Sequence, residues 1–370
     1  MKFKTLALGA LSLASVLVLA ACGGTSNNGG GTDTTGTGDA GDKLSVAIIT
    51  DTGGVDDQSF NQSAWEGLQA WGKAHDLSRG QGGYNFFQSE TDADYTTNVN
   101  QAIQQGFGLI YGIGFRLHDA IADAAKANPD VKFAIIDDVI DGQDNVASIT
   151  FADHEGGYLA GVAAAKASQS GKIGFLGGME GEVIGRFEAG FRQGVHDTNP
   201  DAQVIVQYAG SFADPAQGSA IAQSMIAAGV DVIYQAAGAT GAGAFNEARA
   251  KNQTLSDDEL KTQKIWIIGV DMDQHALGDF KSSDGTAGNF VLVSTVKGVG
   301  QAVKEISNDA LEGNFPGGKV TVMNLKNEGI SLAMEHASPE IQEAVKAAQE
   351  KIISGEITVP ETPDAVKDGK

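Results

Sequence analysis

The feature that most restricts the fold is a unit that recurs along the chain. A short apolar run is followed by a turn rich in glycine and aspartate, then by apolar residues at helical spacing. The first copy is the clearest. Leu44 to Ile49 reads as a buried parallel strand. The apolar run gives way at Asp51, and Gly53 and Gly54 follow, residues that adopt φ > 0 and let a ligand approach the backbone. Ser59 or Asn61 can then cap a helix whose apolar positions Phe60, Ala64, Leu68 and Trp71 keep the 3.6-residue period. Further strands are predicted at Tyr84–Phe87, Leu109–Gly114, Lys132–Ile136 and Asn145–Phe151. Helices are predicted over Asp92–Gln105 and Leu117–Ala127, the second stopped by Asn128-Pro129. Strands alternating with helices of about 10–15 residues imply βαβ units and a parallel sheet.

The pattern pauses at Phe151–Gly157 and starts again. Gly156–Ser168 is an Ala/Gly-rich helix able to pack closely. Strands follow at Lys172–Leu176, Ala202–Tyr208, Val230–Gln235 and Ile265–Val270, and Phe187, Gly190, Phe191, Gly194 and Val195 form one helical face. Leu292–Val296 leads into a helix over Lys297–Leu311. Lys319–Leu325 and Ile330–Ala333 read as short strands, and Glu340–Ile353 as a last amphipathic helix. With 370 residues, 42% of them hydrophobic, about two domains are expected. The expected architecture is α/β, with two doubly wound Rossmann-like lobes joined by a hinge near residue 150. Residues 44–150 plus about 275–313 would form the N-terminal lobe, and 151–274 plus about 314–360 the C-terminal lobe. Residues 361–370 would form a loose tail. Ligand sites prefer domain interfaces and the carboxyl ends of strands, and such a shape can close around its ligand.

The first 22 residues stand apart from the fold. Lys2 and Lys4 precede an apolar run, Leu6 to Leu19, too short to remain as a membrane span. The segment Leu19-Ala20-Ala21-Cys22-Gly23 resembles the lipobox of bacterial lipoproteins, in which the cysteine is lipidated and becomes the new N-terminus. Cys22 is the single cysteine of the sequence, which excludes a disulfide within one chain. Residues 23–43 carry no large apolar side chain and read as a flexible tether. The expected location is therefore exported and lipid-anchored through Cys22 at the extracytoplasmic face of the cell membrane. The net charge of −22 deepens to about −24 once Lys2 and Lys4 leave with the signal. That balance argues against a nucleic-acid polymer or an anionic membrane surface as partner. No second apolar stretch is long enough to cross a bilayer.

Asp51, Asp56, Asp57, Ser59, Phe60 and Asn61 all fall where the first strand ends and the first helix starts. They offer carboxylates, a hydroxyl, an amide and an aromatic face to a polar, ring-containing small molecule. The glycines of Gly238–Gly243 lack the lysine and hydroxyl of a phosphate-binding loop. The six histidines show no metal-ligand spacing, and no cofactor is implied.

Several ordered motifs then carry a resemblance. They are Asp51-Thr52-Gly53-Gly54, the run Asp57 to Gln62, Gly112-Ile113-Gly114-Phe115, Phe133 to Asp137, Gly190-Phe191 with Gly194-Val195, Gly238 to Gly243, and Gly269-Val270-Asp271. Together they resemble the basic membrane protein family of lipoproteins, substrate-binding components of ABC importers for nucleosides with a type I periplasmic-binding-protein fold. The resemblance is strongest to its PnrA-type purine nucleoside receptors. It implies capture of a nucleoside such as guanosine, inosine or adenosine, hand-over to an ABC permease and ATPase, a monomeric state and no catalytic residue. It further implies a base stacked between Phe60 and Phe187, with Phe191 the competing position. Asp51 and Asp137 would bond the base, Asp138 being the alternative acid. Gly238 or Gly241, Asp271 and Lys297 would hold the ribose. Ser59 and Asn61 complete the expected contacts. A sugar or signalling molecule is the alternative ligand. An adhesin or sensor, and a calcium-dependent nucleoside hydrolase using Asp56 or Asp57, are the alternatives of other kinds.

Overall fold

The computed structural model describes residues 44–367, so the expected signal segment, Cys22 and the 23–43 tether lie outside the described residues. In the first half, β1 (Val46–Ile49) leads to α1 (Phe60–Ala74), β2 (Tyr84–Phe87) to α2 (Asp94–Gln104), and β3 (Leu109–Ile113) to α3 (His118–Ala127). Then come β4 (Lys132–Ile136) and β5 (Val146–Phe151). Every residue of β1 and β3 is buried, as strands covered by helices on both faces require.

The second half opens with α4 (Asp153–Ala167), β6 (Lys172–Gly177), α5 (Glu182–Thr198) and β7 (Gln203–Tyr208). It continues through α6 (Pro215–Ala227), β8 (Val232–Ala236), α7 (Ala242–Gln253), α8 (Leu260–Gln263) and β9 (Trp266–Asp271). A small hairpin, β10 (Asp279–Lys281) and β11 (Ala287–Asn289), precedes β12 (Val291–Lys297), α9 (Val299–Leu311), β13 (Val320–Met323), β14 (Ile330–Ala333) and α10 (Pro339–Ser354).

Two six-stranded sheets result, in the orders β13-β5-β4-β3-β1-β2 and β14-β12-β9-β8-β6-β7. Their neighbours pair in parallel, except that β14 runs antiparallel to β12. In both sheets the strand order reverses beside the first strand, between β1 and β3 and again between β6 and β8. Ligands of open α/β sheets bind at such switch points, beyond the carboxyl ends of the strands.

The lobe boundaries differ from those expected. β12 pairs with β9, which places 275–297 in the second half rather than the first. α9 packs on α1 and β13 pairs with β5, so 314–323 belongs to the first half rather than the second. β14 and α10 return to the second half, α10 against α4. The chain therefore crosses between halves three times, near Ala152, near Gly298 and over 324–329. The crossings are stitched to one another. The Ala152 amide donates to Met323 O at 2.8 Å and the Gly298 amide to Gly329 O at 2.9 Å. The Leu325 amide donates to Glu155 Oε2 at 2.8 Å. Short strands do not announce which sheet will accept them, since pairing is decided by tertiary neighbours. The expected loose tail is also placed differently as far as Lys367. Val359 is buried, Pro363–Ala365 forms a 3-10 turn against α5, and the Lys367 amide donates to Gln193 Oε1 at 2.9 Å.

One helix pair needs glycine. A Cβ at Gly161 of α4 would stand 2.3 Å from Phe191 O, and one at Gly190 of α5 would stand 1.9 Å from His154 O. The two backbones thus touch without side chains between them. This contact fixes the rotation of α5. Phe191 faces inward, fully buried against Tyr234 and Phe175 with ring centroids 5.0 and 6.0 Å away. Trp71 is fully buried and Trp65 packs on Tyr84 and Phe86, so both are packing residues. In Gly190→Ala the helix-propensity gain of about 1 kcal/mol is outweighed by the backbone clash. The thermal midpoint should fall, with a net loss of about 1–3 kcal/mol in denaturant unfolding; an unchanged midpoint would mean that α4 and α5 separate freely.

Candidate functional site

The loops beyond the carboxyl ends of both sheets enclose a cleft of about 590 Å³, part of it open to solvent. Asp51 and Gly53 follow β1, Gly114 to Arg116 follow β3, and Asp137 follows β4. From the other half come Ala236 to Ala239 after β8, and Val270 and Asp271 at the end of β9. Phe60 opens α1, Phe187 lies on α5, and Lys297 ends β12.

The first wall is organised by Asp57. Its Oδ1 accepts from the amides of Ser59 (2.9 Å) and Gln62 (3.0 Å), and its Oδ2 from the amide of Asn61 (2.9 Å). Ser59 occupies the N-cap position of α1, as the sequence allows, but makes no side-chain capping bond; the Asp57 carboxylate, two residues earlier, reaches several orphan amides at once in its place. Asn61 is freed to spend its amide on two acids. Its Nδ2 donates to Asp51 Oδ1 at 2.7 Å and to Asp57 Oδ2 at 2.9 Å. The Gly53 amide also donates to Asp51 Oδ1, at 2.9 Å. Burial pushes the Asp51 carboxyl up to about 6, with the Asp57 charge adding and the bonds from Gly53 and Asn61 opposing. Burial raises Asp57 in the same direction. Ser59, released from capping, donates through Oγ to Asp271 Oδ2 in the other half.

Asp137 and Asp271 occupy equivalent places, at the ends of β4 and β9, and both adopt left-handed backbone, φ +69° and +65°. Aspartate tolerates this region better than most residues, yet it is strained, and such strain gathers at functional sites. Lys297 lies between the halves, its side chain only 3% exposed. Its Nζ donates to Asp137 Oδ2 at 2.7 Å and stands 3.0 Å from Asp153 Oδ1. It lies 5.3 Å from the Phe60 ring centroid and 5.5 Å from that of Phe187. Burial disfavours its charge, but Asp137, Asp153 and Asp271 outweigh that and raise its pKa. Arg186 supports Asp153 from behind, donating Nε and Nη2 to Oδ2 at 3.3 and 3.2 Å. Burial lifts Asp271 to about 7, against the pull of Lys297 and Ser59 and with the push of Asp57 and Asp137. Asp137 Oδ1 is buried and has no hydrogen-bond partner among the described residues. Its neighbour Asp138 is turned away onto His118 Nδ1, at 2.8 Å.

Of the expected ligand-binding residues, Asp51, Phe60, Asn61, Asp137, Phe187, Gly238, Asp271 and Lys297 line this cleft. Ser59 sits behind Asp271. Gly241 lies in a turn off the cleft, where a Cβ would stand 1.9 Å from Gln235 Oε1. Cys22 lies outside the described residues. Phe115 and Phe212 line the cleft unforeseen, from opposite halves, their rings edge-on at 6.4 Å. Phe115 closes the Gly112 to Phe115 motif, which was a usable signal. Phe212 sits in an irregular loop after β7 and carries none. Among the described residues no group of three or more His, Cys, Asp or Glu is placed to hold a metal ion.

The chain is similar to several known proteins. The sequence profile described as "ABC transporter substrate-binding protein PnrA-like" matches residues 44–363. The chain is 51% identical over 360 residues to the ABC transporter nucleoside-binding protein BmpA of Lactococcus lactis, covering 97% of this chain and 99% of that one. It is 35% identical over 321 residues to basic membrane protein A of Borreliella burgdorferi, covering 85% and 87%. Among solved structures, an ABC transporter solute-binding protein from Aeropyrum pernix superposes with a TM-score of 0.73 at 25% identity, over 87% of this chain and 95% of that one.

The raised carboxyls fix a sign for stability. Asp51 and Asp271 bind protons more tightly folded than unfolded, so the native state takes up protons on folding and its stability falls as pH rises through about 6–7. The ligand-free protein should resist urea better at pH 5.5 than at pH 8, and Asp271→Asn should shrink that difference. A difference of equal size in the variant would separate Asp271 from the effect.

Proposed function

This chain belongs to the PnrA-like family of ABC transporter substrate-binding proteins, and on that premise we propose that its cleft captures nucleosides, purine nucleosides in particular, and makes or breaks no bond in them. The observation that carries the reading is Asp137 Oδ1, a buried acceptor without a partner among the described residues, beside the Lys297 ammonium. An unpaired buried acceptor costs about 1–3 kcal/mol, a penalty that a ligand O–H or N–H removes. Vicinal ribose hydroxyls suit Asp137, Asp271 and Lys297, which offer acceptors and a donor in the same cleft as Phe60. Asp51, fixed by Asn61, accepts from a base N–H. This division moves Asp137 from the base to the sugar, because Lys297 holds it.

The charge balance selects further. Asp51, Asp57, Asp137, Asp153 and Asp271 outnumber Lys297, Arg116 and Arg186 around the cleft, so a nucleoside is favoured over its phosphate esters. Asp57 spends its carboxylate on capping α1 and Asp56 is exposed, which favours capture over a calcium-dependent hydrolase. The relative named for nucleoside binding supports the ligand class. We further propose an extracytoplasmic protein, lipid-anchored through Cys22, that delivers its ligand as a monomer to an ABC permease and ATPase. No helix among the described residues is long and apolar enough to cross a membrane, so translocation is assigned to those partners.

Mass spectrometry of small molecules released on denaturation should find nucleosides; a bound sugar alone would favour the alternative ligand, and free base released from inosine would favour hydrolysis. Stacking contributes about 1–3 kcal/mol per base. Phe60→Ala should therefore weaken nucleoside binding about tenfold or more by calorimetry, Asp271→Ala should weaken it too, and the free base and the 5′-monophosphate should both bind less well than the nucleoside.

A further inference from the structure

We propose that Gln274 is a positioning residue that latches the two halves together without touching the ligand. It is absent from the cleft lining and is 5% exposed. Inside the second half its Oε1 accepts from the Val270 amide at 3.0 Å and from Gln235 Nε2 at 2.9 Å. Its own amide donates to Ser294 Oγ at 3.1 Å. Held in this way, the side chain reaches across, and its Nε2 donates to Gln58 O in the first half at 2.7 Å.

One end of the latch, Gln58, is strained. Gln58 has φ +56°, a region costly for a residue with a long side chain. The next residue, Ser59, makes the second crossing bond, to Asp271, itself at φ +65°. Strain of this kind persists only where surrounding contacts over-determine it; at Gln58 they are Gln62 Oε1, which accepts from its amide at 3.2 Å, and Gln274 Nε2 from the opposite half. The latch therefore joins the second residue before Phe60 to the third residue after Asp271. It sets how often the empty cleft opens, and so how long any occupant stays. One net hydrogen bond biases such an equilibrium by about tenfold, enough to favour closure and too little to lock it. The inference rests on the cleft being a capture site and is independent of which molecule is captured.

The test is amide hydrogen exchange on the full chain without ligand, read at 57–61 and at 270–275. Local exchange reports the opening equilibrium of each segment. Gln274→Met should speed exchange about tenfold at both segments, while β1 and β6 stay slow. Gln235→Met, which removes one bond within the second half but leaves the Val270 amide on Gln274 Oε1, should speed 270–275 by more than 57–61. If Gln274→Met does not fold, Gln274→Asn withdraws the amide from Gln58 O while keeping its chemistry, and is read the same way. Wild-type exchange at 57–61 in the folded Gln274 variant overturns the proposal, as does equal acceleration of both segments by Gln235→Met. A protein that binds no nucleoside leaves this test intact, because no ligand is used.

Discussion

The Lys297 ammonium is the interaction on which the cleft depends. It ends β12 at one crossing, contacts Asp153 at the start of α4 beside another, and donates to Asp137 at the carboxyl end of β4 in the first sheet. An isolated charge buried this deeply would be expelled or neutralised. Surrounded by three carboxylates it stays protonated, and they in turn are tolerated because it is there. The cluster is therefore an electrostatic unit rather than a set of separate contacts, and its surplus is negative. Burial lifts Asp271 toward neutrality, with Asp57 and Asp137 adding to it, and Asp137 keeps an acceptor to offer.

The cleft is one motif used twice. β1 and β6 hold the same place in their sheets, and the helices that follow them, α1 and α5, carry Phe60 and Phe187. β4 and β9 likewise hold one place, and each ends at a left-handed aspartate. The halves thus present similar chemistry from opposite sides. Lys297 belongs to neither set, since it comes from a crossing segment, and it breaks the likeness where the two acids would otherwise repel.

Much of this was legible in the residues. The alternation of apolar runs with helical periods announced two parallel sheets, and the ends of those runs announced the acids. The assignment of segments after residue 275 was not legible, because β13 is four residues long and only its neighbour β5 decides its sheet. Ser59 takes the N-cap position of α1 as the residues suggest, but its side chain makes no capping bond, for a physical reason. Ser59 and Asn61 are the residue types expected at a helix start, but Asp57 has the longer reach through its turn and leaves Ser59 free to span the halves. Phe187 and Phe191 could not be separated by periodicity, since both fall on the buried face of α5. The glycine contact with α4 separates them by fixing that helix's rotation. Phe212 had no local signal at all, because its place is set by the loop's packing over the second sheet.

The glycine contact has a mechanical meaning. Where α4 and α5 meet backbone to backbone, no side chains remain to slide or rotate against one another. α4 begins at the first crossing, and α5 carries an aromatic wall of the cleft. Pivot and wall are therefore parts of one stiff lever, so a small twist of the chain at Ala152 swings Phe187 through a proportionate arc with little lost to internal give.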